Sequence, residues 1–216
     1  MIKIEKFVFN PFQLNSYVLY DETGECLLVD PGVSDEEEMQ QLRDFISANS
    51  LTPKLIVNTH SHIDHLLGNK VVSEHFGISL AADPAGQLFI DKAPNSAQKF
   101  GLPFSGTKEI DVTLQEGQPL TFGKSSLKIF NTPGHADGSI CLYAEEEGFI
   151  VVGDVLFYQS IGRTDFETGD YDVLQKSIWE KLFVLPDATV VYPGHGRSTT
   201  IGIEKESNPF VAIGME

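Results

Sequence analysis

Cysteine is scarce in this chain. Cys26 and Cys141 are the only two in 216 residues, far apart and in no C-x-x-C pairing. That argues against a disulfide framework or a cysteine-ligated zinc knuckle and leaves two buried, reduced thiols in strands. Basic residues are scarce as well: 15 Lys plus Arg stand against 31 Asp plus Glu, a formal net charge of −16. A surface that acidic repels phosphate backbones and anionic lipid, which counts against nucleic acid or a membrane as partner. No apolar run approaches the roughly 18 residues needed to span a bilayer. The N-terminal MIKIEKFVFN lacks the basic-then-apolar pattern of a signal peptide, so a cytoplasmic protein is expected. Low-complexity segments, long linkers and fixed-period repeats are also missing. With 41% hydrophobic residues, the chain is expected to form one domain over residues 1–216.

What is present alternates between strand and helix signals. IKIEKFVF alternates with period two, and NSYVLYDETGECLLVD reads as two strands joined by a polar turn around Gly24. Ser34, with Glu37 three residues on, has the pattern of a capping box. Met39, Leu42, Phe45 and Ile46 follow at helical spacing, which predicts a helix over 35–48, and the acidic run 35–38 reads as its solvated, dipole-stabilised start. KLIVN is a short buried strand, LLGNKVVSEHFG a helix and ISLAAD the next strand. Residues 84–99 read as helical and 100–117 as a long loop. Strands are expected at PLTF, SLKIFNT, SICLYAE, GFIVVGD and TVVYPG, with helices near 171–183 and 204–208. The alternation argues an α/β or α+β arrangement with helices covering sheet.

Histidine is also rare, six residues in all, yet three of them fall within His60-Ser61-His62-Ile63-Asp64-His65, directly after the strand KLIVN. In a turn at a strand's end, His60 and His62 can point into one cavity, and Asp64 and His65 can face it from the next turn. Imidazole and carboxylate without thiolate suit zinc, iron or manganese. Three more polar residues follow the same rule: His135 after SLKIFNT, Asp154 after FIVVG and His195 after TVVYP, each beside a glycine that allows a sharp turn. Side chains leaving strand ends converge on one edge of a sheet. His75, inside a helix beside Glu74, is left as an ordinary surface residue.

H-x-H-x-D-H followed by His, Asp and His at strand ends resembles the metallo-β-lactamase fold superfamily, over a span from Asp30 in LLVDPG to His195 in YPGHG. The resemblance implies a four-layer αββα sandwich with two divalent metal ions, zinc above all and iron or manganese otherwise, at one edge. It implies that His60, His62 and His135 hold the first metal, that Asp64, His65 and His195 hold the second, and that Asp154 lies between both. Asp64 would also orient the attacking water. Asp30 would orient a histidine from behind the ligand loop; read as a residue alone, it is equally a turn-forming Asp before Pro-Gly.

Within the superfamily, G-D-V-L-F and G-R-T-D-F, together with ESNPF near the end, resemble short bacterial thioester hydrolases of the glyoxalase II type. Asp154 stands where some lactam-opening relatives carry cysteine, and His62 where di-iron flavoprotein relatives carry glutamate. The implied activity is hydrolysis of a small thioester, with acyl-glutathione as the model substrate. Two departures are a C-terminal glutathione-gripping helical domain, absent here, and Arg197 in place of a tyrosine just past the last histidine. The chief alternative is a persulfide dioxygenase with a single iron, which shares G-R-T-D-F; a lactonase and a non-catalytic metal-binding protein are the others. Arg163 is a candidate for binding a substrate carboxylate, or else an ion-pair partner of Asp165 or Asp170; Arg197 is the second candidate.

Overall fold

Alternating apolar residues in the first eight positions become β1 (Lys3–Phe9), which pairs with β2 (Leu14–Tyr20) and through it with β3 (Glu25–Val29), all antiparallel. The computed structural model describes residues 1–212. After β3 the chain crosses over through α1 (Glu36–Ala48) to β4 (Thr52–Val57), then α2 (Ile63–Leu66), α3 (Asn69–Phe76) and β5 (Ser79–Ala82). Helix α4 (Gln87–Phe100) leads to β6 (Val112–Thr113), which closes a six-stranded sheet in chain order, β3 to β6 being parallel.

The second half supplies β7 (Leu120–Phe122), β8 (Ser125–Asn131), β9 (Ile140–Ala144) and β10 (Phe149–Gly153) as an antiparallel run. A small hairpin, β11 (Leu156–Phe157) and β12 (Ser160–Ile161), precedes α5 (Tyr171–Ser177). Then come β13 (Val190–Pro193), β14 (Thr199–Thr200) and α6 (Ile201–Ser207). The second sheet runs β14-β13-β10-β9-β8-β7, with β13 parallel to β10.

Packing of alternate residues makes the four layers. Leu27 and Val29 of β3 enter a core shared with Leu127, Ile129, Ile140, Leu142 and Val151 of the other sheet. Cys26 and Leu28, one step out of phase, face Met39, Leu42 and Ile46 of α1 and Ile90 and Ala93 of α4. On the far side Ile150, Val152 and Val191 pack on Leu174, Ile178, Leu182 and Ile201. Strands buried on both faces read as unbroken apolar runs. Each fully buried Leu or Ile side chain contributes about 1.5–3 kcal/mol of transfer free energy. Both cysteines are free and fully buried in strands, and burial pushes their thiols up to about 12. Among the described residues, no helix is long and apolar enough to cross a membrane.

Five local readings change. The cap of α1 is Asp35, not Ser34: Asp35 accepts from the Glu38 N–H, and the Glu38 carboxylate accepts from Ser34 N and Oγ at 2.7 and 2.9 Å. Glu38 also accepts from Asn10 N at 2.6 Å, so the acidic run is not wholly a solvated face. The helix expected at LLGNKVVSEHFG is split into α2 and α3 with Gly68 between them, and a side chain at 68 would overlap the Pro31 carbonyl oxygen. The helix near 171–183 is α only to Ser177 and widens into a π-turn over Ile178–Leu182, where Phe183 N–H donates to Ile178 O at 2.9 Å. The tail helix starts earlier than 204, capped by Thr200.

Candidate metal centre

Strands β4, β10 and β13 all end at one edge of the sandwich. Past β4 the chain turns through His60 and His62, and α2 carries Asp64 and His65. Asp154 follows β10 directly, and His195 lies two residues past β13, the parallel neighbour of β10. His135 is in the turn from β8 to β9, closed by Thr132 N–H to Ser139 O at 2.9 Å. Gly194 allows this convergence, since a Cβ there would overlap Asp154 Oδ1.

The seven polar residues meet in two overlapping groups. His62 Nδ1 lies 3.1 Å from His60 Nε2 and 3.0 Å from His135 Nε2. Asp64 Oδ2 lies 3.1 Å from His195 Nε2 and 3.6 Å from His65 Nε2. Asp154 stands between them: Oδ1 is 3.6 Å from His65 Nε2, and Oδ2 is 3.6 Å from His195 Nε2 and 3.8 Å from His135 Nε2. The ligand atoms of His60, His62 and His135 lie within 4.8 Å of one another, as do those of Asp64, His65 and His195, and those of His60, His65 and Asp154, which link the two.

The outward ring nitrogens are tethered, which decides which nitrogen faces inward. His135 Nδ1 donates to Arg163 O at 2.7 Å and His195 Nδ1 to Phe12 O at 3.1 Å. His65 Nδ1 lies 2.9 Å from Asp30 Oδ2. Asp30 also accepts from Thr59 N at 2.8 Å and Thr59 Oγ1 at 2.5 Å. Its φ of 47° is a left-handed conformation that costs energy for a residue with a Cβ. Asp30 is thus both a turn residue before Pro-Gly and the carboxylate behind a histidine.

Electrostatics divide the groups. Burial and the neighbouring histidines push His60 well below the ordinary value, and burial with His135 nearby takes His62 down to about 4. Burial lowers His135 too. Burial also opposes charge on His65, but Asp30 and Asp64 outweigh it and raise that ring well above the usual range. His195 is raised likewise, by Asp64 and Asp154. Asp64 and Asp154 are held low by these histidines in spite of burial and stay ionised.

The family model described as the metallo-beta-lactamase superfamily matches residues 9–195. The chain belongs to the metallo-beta-lactamase superfamily. It is 35% identical to hydroxyacylglutathione hydrolase GloC of Haemophilus influenzae, over 97% of this chain and 98% of that one. It superposes on the crystal structure of BLEG-1 B3 metallo-beta-lactamase with a TM-score of 0.88 and 36% identity, covering 97% of this chain and 99% of the other. With TTHA1623, solved in a di-iron-bound form, the TM-score is 0.84 at 32% identity, covering 95% and 99% of the two chains. The superfamily's mixed sheets with helices agree with the expected αββα sandwich.

The residues present fit divalent metal ions. His65 Nε2 and Asp154 Oδ1 are buried with no hydrogen-bond partner. Three inward imidazole nitrogens facing one another at 3.0–3.1 Å crowd lone pairs that a cation would satisfy. The donor set, imidazole and carboxylate with no thiolate, accommodates zinc, iron or manganese alike.

Of the expected substrate-binding residues, Arg163 places its guanidinium in a bidentate pair with Asp165, at 2.9 and 2.6 Å, and over the ring of Phe166, which in turn lies 5.7 Å from that of His62. Asp170 is not its partner but caps α5. Arg197 lies over Tyr158. His75 is exposed on α3. Residues that sequence reading missed form a buttress from the β1–β2 turn and β2. Asn10 Nδ2 donates to Gly32 O and Asp64 O, both at 3.0 Å. Asn15 Nδ2 and Tyr17 OH both donate to Pro193 O, at 2.9 and 2.6 Å. The Asn-Pro pair at 10–11 was the available turn signal.

Proposed function

We propose that this protein is a metal-dependent hydrolase of small thioesters. In this reading His60, His62 and His135 hold one divalent ion and Asp64, His65 and His195 hold another. The observation that carries it is Asp154, whose two carboxylate oxygens approach histidines of both groups. Two divalent ions held in this way supply a nucleophilic water with a pKa near neutrality and a Lewis acid for a developing oxyanion. Asp64, kept ionised beside His65 and His195, would orient the attacking water. Asp30 and the backbone carbonyls of Phe12 and Arg163 hold His65, His195 and His135 in the tautomer that presents Nε2 inward. The Phe89 and Phe166 rings, 5.0 and 5.7 Å from His62, offer the acyl group an apolar wall.

The likeness to a hydroxyacylglutathione hydrolase over nearly the whole of both chains supports the thioester as substrate, as do G-D-V-L-F and G-R-T-D-F. The BLEG-1 likeness favours a β-lactam as the second reading, and the G-R-T-D-F segment a persulfide as the third. Metal content of natively purified protein, with turnover of S-lactoylglutathione, a β-lactam and glutathione persulfide, separates them. About two metals per chain and hydrolysis of the thioester are expected. One iron per chain with oxygen uptake on the persulfide, or lactam opening without thioester turnover, would overturn the proposal.

A further inference from the structure

The chain has three arginines. Arg43 is paired with Glu36 and Arg163 with Asp165. Arg197 is exposed and, among the described residues, has no carboxylate partner; instead its guanidinium carbon lies 3.4 Å from the centroid of the Tyr158 ring. In a protein with about twice as many acidic as basic residues, a guanidinium without a carboxylate partner two residues from a candidate ligand is unexpected. Arg197 lies two residues past His195, and Tyr158 adjoins Phe157, whose ring is 6.4 Å from that of His195.

The pair is also built in place. Tyr158 sits at the tip of the β11–β12 hairpin, next to Gln159, which adopts a left-handed φ of 56°. Gln159 N–H donates to Glu204 Oε2 at 2.9 Å, and Asn208 Nδ2 donates to Ser160 O at 3.0 Å. Glu204 is fully buried, and its other oxygen accepts from Thr199 Oγ1 at 2.6 Å, two residues beyond Arg197. One buried carboxylate therefore ties down both the hairpin that carries Tyr158 and the segment that carries Arg197.

We propose that Arg197, seated on Tyr158, recognises a carboxylate on the substrate, and that Arg163 does not. Stacking on a ring face fixes the guanidinium plane and leaves its N–H edges free, the geometry a carboxylate accepts in bidentate fashion. Arg163 already spends its Nε–Nη2 edge on Asp165. The substrate class is then a small acyl compound with a free carboxylate near the scissile bond, and this rests on the hydrolase reading of the neighbouring centre.

The test uses the metal-loaded full chain and two thioesters identical except that one carries a carboxylate and the other its neutral amide. Calorimetry on the two corresponding non-hydrolysable thioethers runs alongside. The parent should favour the carboxylate form. Arg197→Ala should raise KM for it roughly tenfold or more, leave the amide twin's kinetics unchanged, and keep metal content and Tm. Arg197→Lys should recover part of the preference, and Arg163→Ala should keep all of it. The proposal is overturned if the parent shows no preference, if Arg197→Ala keeps it, or if both substrates suffer equally. If the parent hydrolyses neither thioester, the thioester reading fails and the thioethers decide. A carboxylate preference in binding that Arg197→Ala abolishes supports Arg197, and no preference overturns it.

Discussion

Ionised carboxylates stand at both ends of the sandwich, and their partners differ. At the end away from the metal edge, Asp21 follows β2 and accepts from Thr23 N and Oγ1, Lys124 N and Ser125 Oγ, at 2.8, 2.5, 2.7 and 2.9 Å. Each donor is an uncharged N–H or O–H fixed by a turn, so the carboxylate is satisfied by the fold alone. At the metal edge, Asp64 and Asp154 face histidines, and both Asp154 Oδ1 and His65 Nε2 are left without hydrogen bonds. One end is complete as folded, whereas the other has donor atoms that only a further cation satisfies. An ionised carboxylate is therefore not by itself the sign of a site; the kind of donor around it is.

The largest effect should come from removing the residue common to both groups. Asp154→Ala is expected to empty both metal positions and to lower activity by more than about 100-fold, beyond the 10–100-fold typical of a carboxylate that only orients a ligand. Metal quantification checks it. Two metals retained at full occupancy would show that Asp154 does not join the groups, and the contrast between the ends would lose its basis.

Asp30→Asn should act on one group only. It removes the carboxylate behind His65, so metal affinity of the Asp64, His65 and His195 group should drop by about 10–100-fold, while the His60, His62 and His135 group keeps its ion. Titration with a chelator of known affinity reads the two positions separately. Equal weakening of both would mean that Asp30 supports the whole loop through Thr59 rather than His65 in particular.

Much of this edge could be read from the residues alone, because each candidate ligand is a chemistry-bearing side chain placed after an apolar strand and beside a glycine. The buttress could not. Phe12 and Arg163 contribute backbone carbonyls, which any residue would supply, and Asn15 and Tyr17 act on a proline carbonyl far away in sequence. The layers were legible wherever period-two or helical spacing ran for several residues, as in β1 and α1. Strands of two residues, such as β6, β11 and β14, carry no period and exist only through their tertiary partners. The need for glycine at 68 follows from the approach of Pro31, a contact that local propensity does not contain.

At the other end, Asp21→Ala should leave metal content unchanged and lower stability by about 0.5–1.5 kcal/mol, the net worth of a hydrogen bond whose donors water can reach once it is lost. Thermal melts of metal-loaded protein measure it. Loss of metal in this variant would mean that the two ends are coupled through β2 and β8.

The smallest effect separates the ends by pH. Burial opposes ionisation of Asp21, but its hydrogen bonds to Thr23, Lys124 and Ser125 prevail and hold it at about 2, against an ordinary value of 3.8. Between those values the unfolded chain takes up a proton that the folded chain does not. The Asp21 contribution is therefore fully present above about pH 4 and lost as pH falls toward about 2. At the metal edge, neutral imidazole is the ligand, so protons compete with metal, and release should begin at the group holding His65 and His195, whose proton affinity is raised in spite of burial by their carboxylate neighbours, before the lowered His60, His62 and His135 group. The loaded protein should then lose stability in two stages, the first accompanied by loss of metal and the second not. Asp21→Asn should flatten the second stage and leave the first in place. Metal-free protein should lack the first and keep the second. A single stage, or a second stage unchanged in Asp21→Asn, would show that Asp21 is not the group that titrates there.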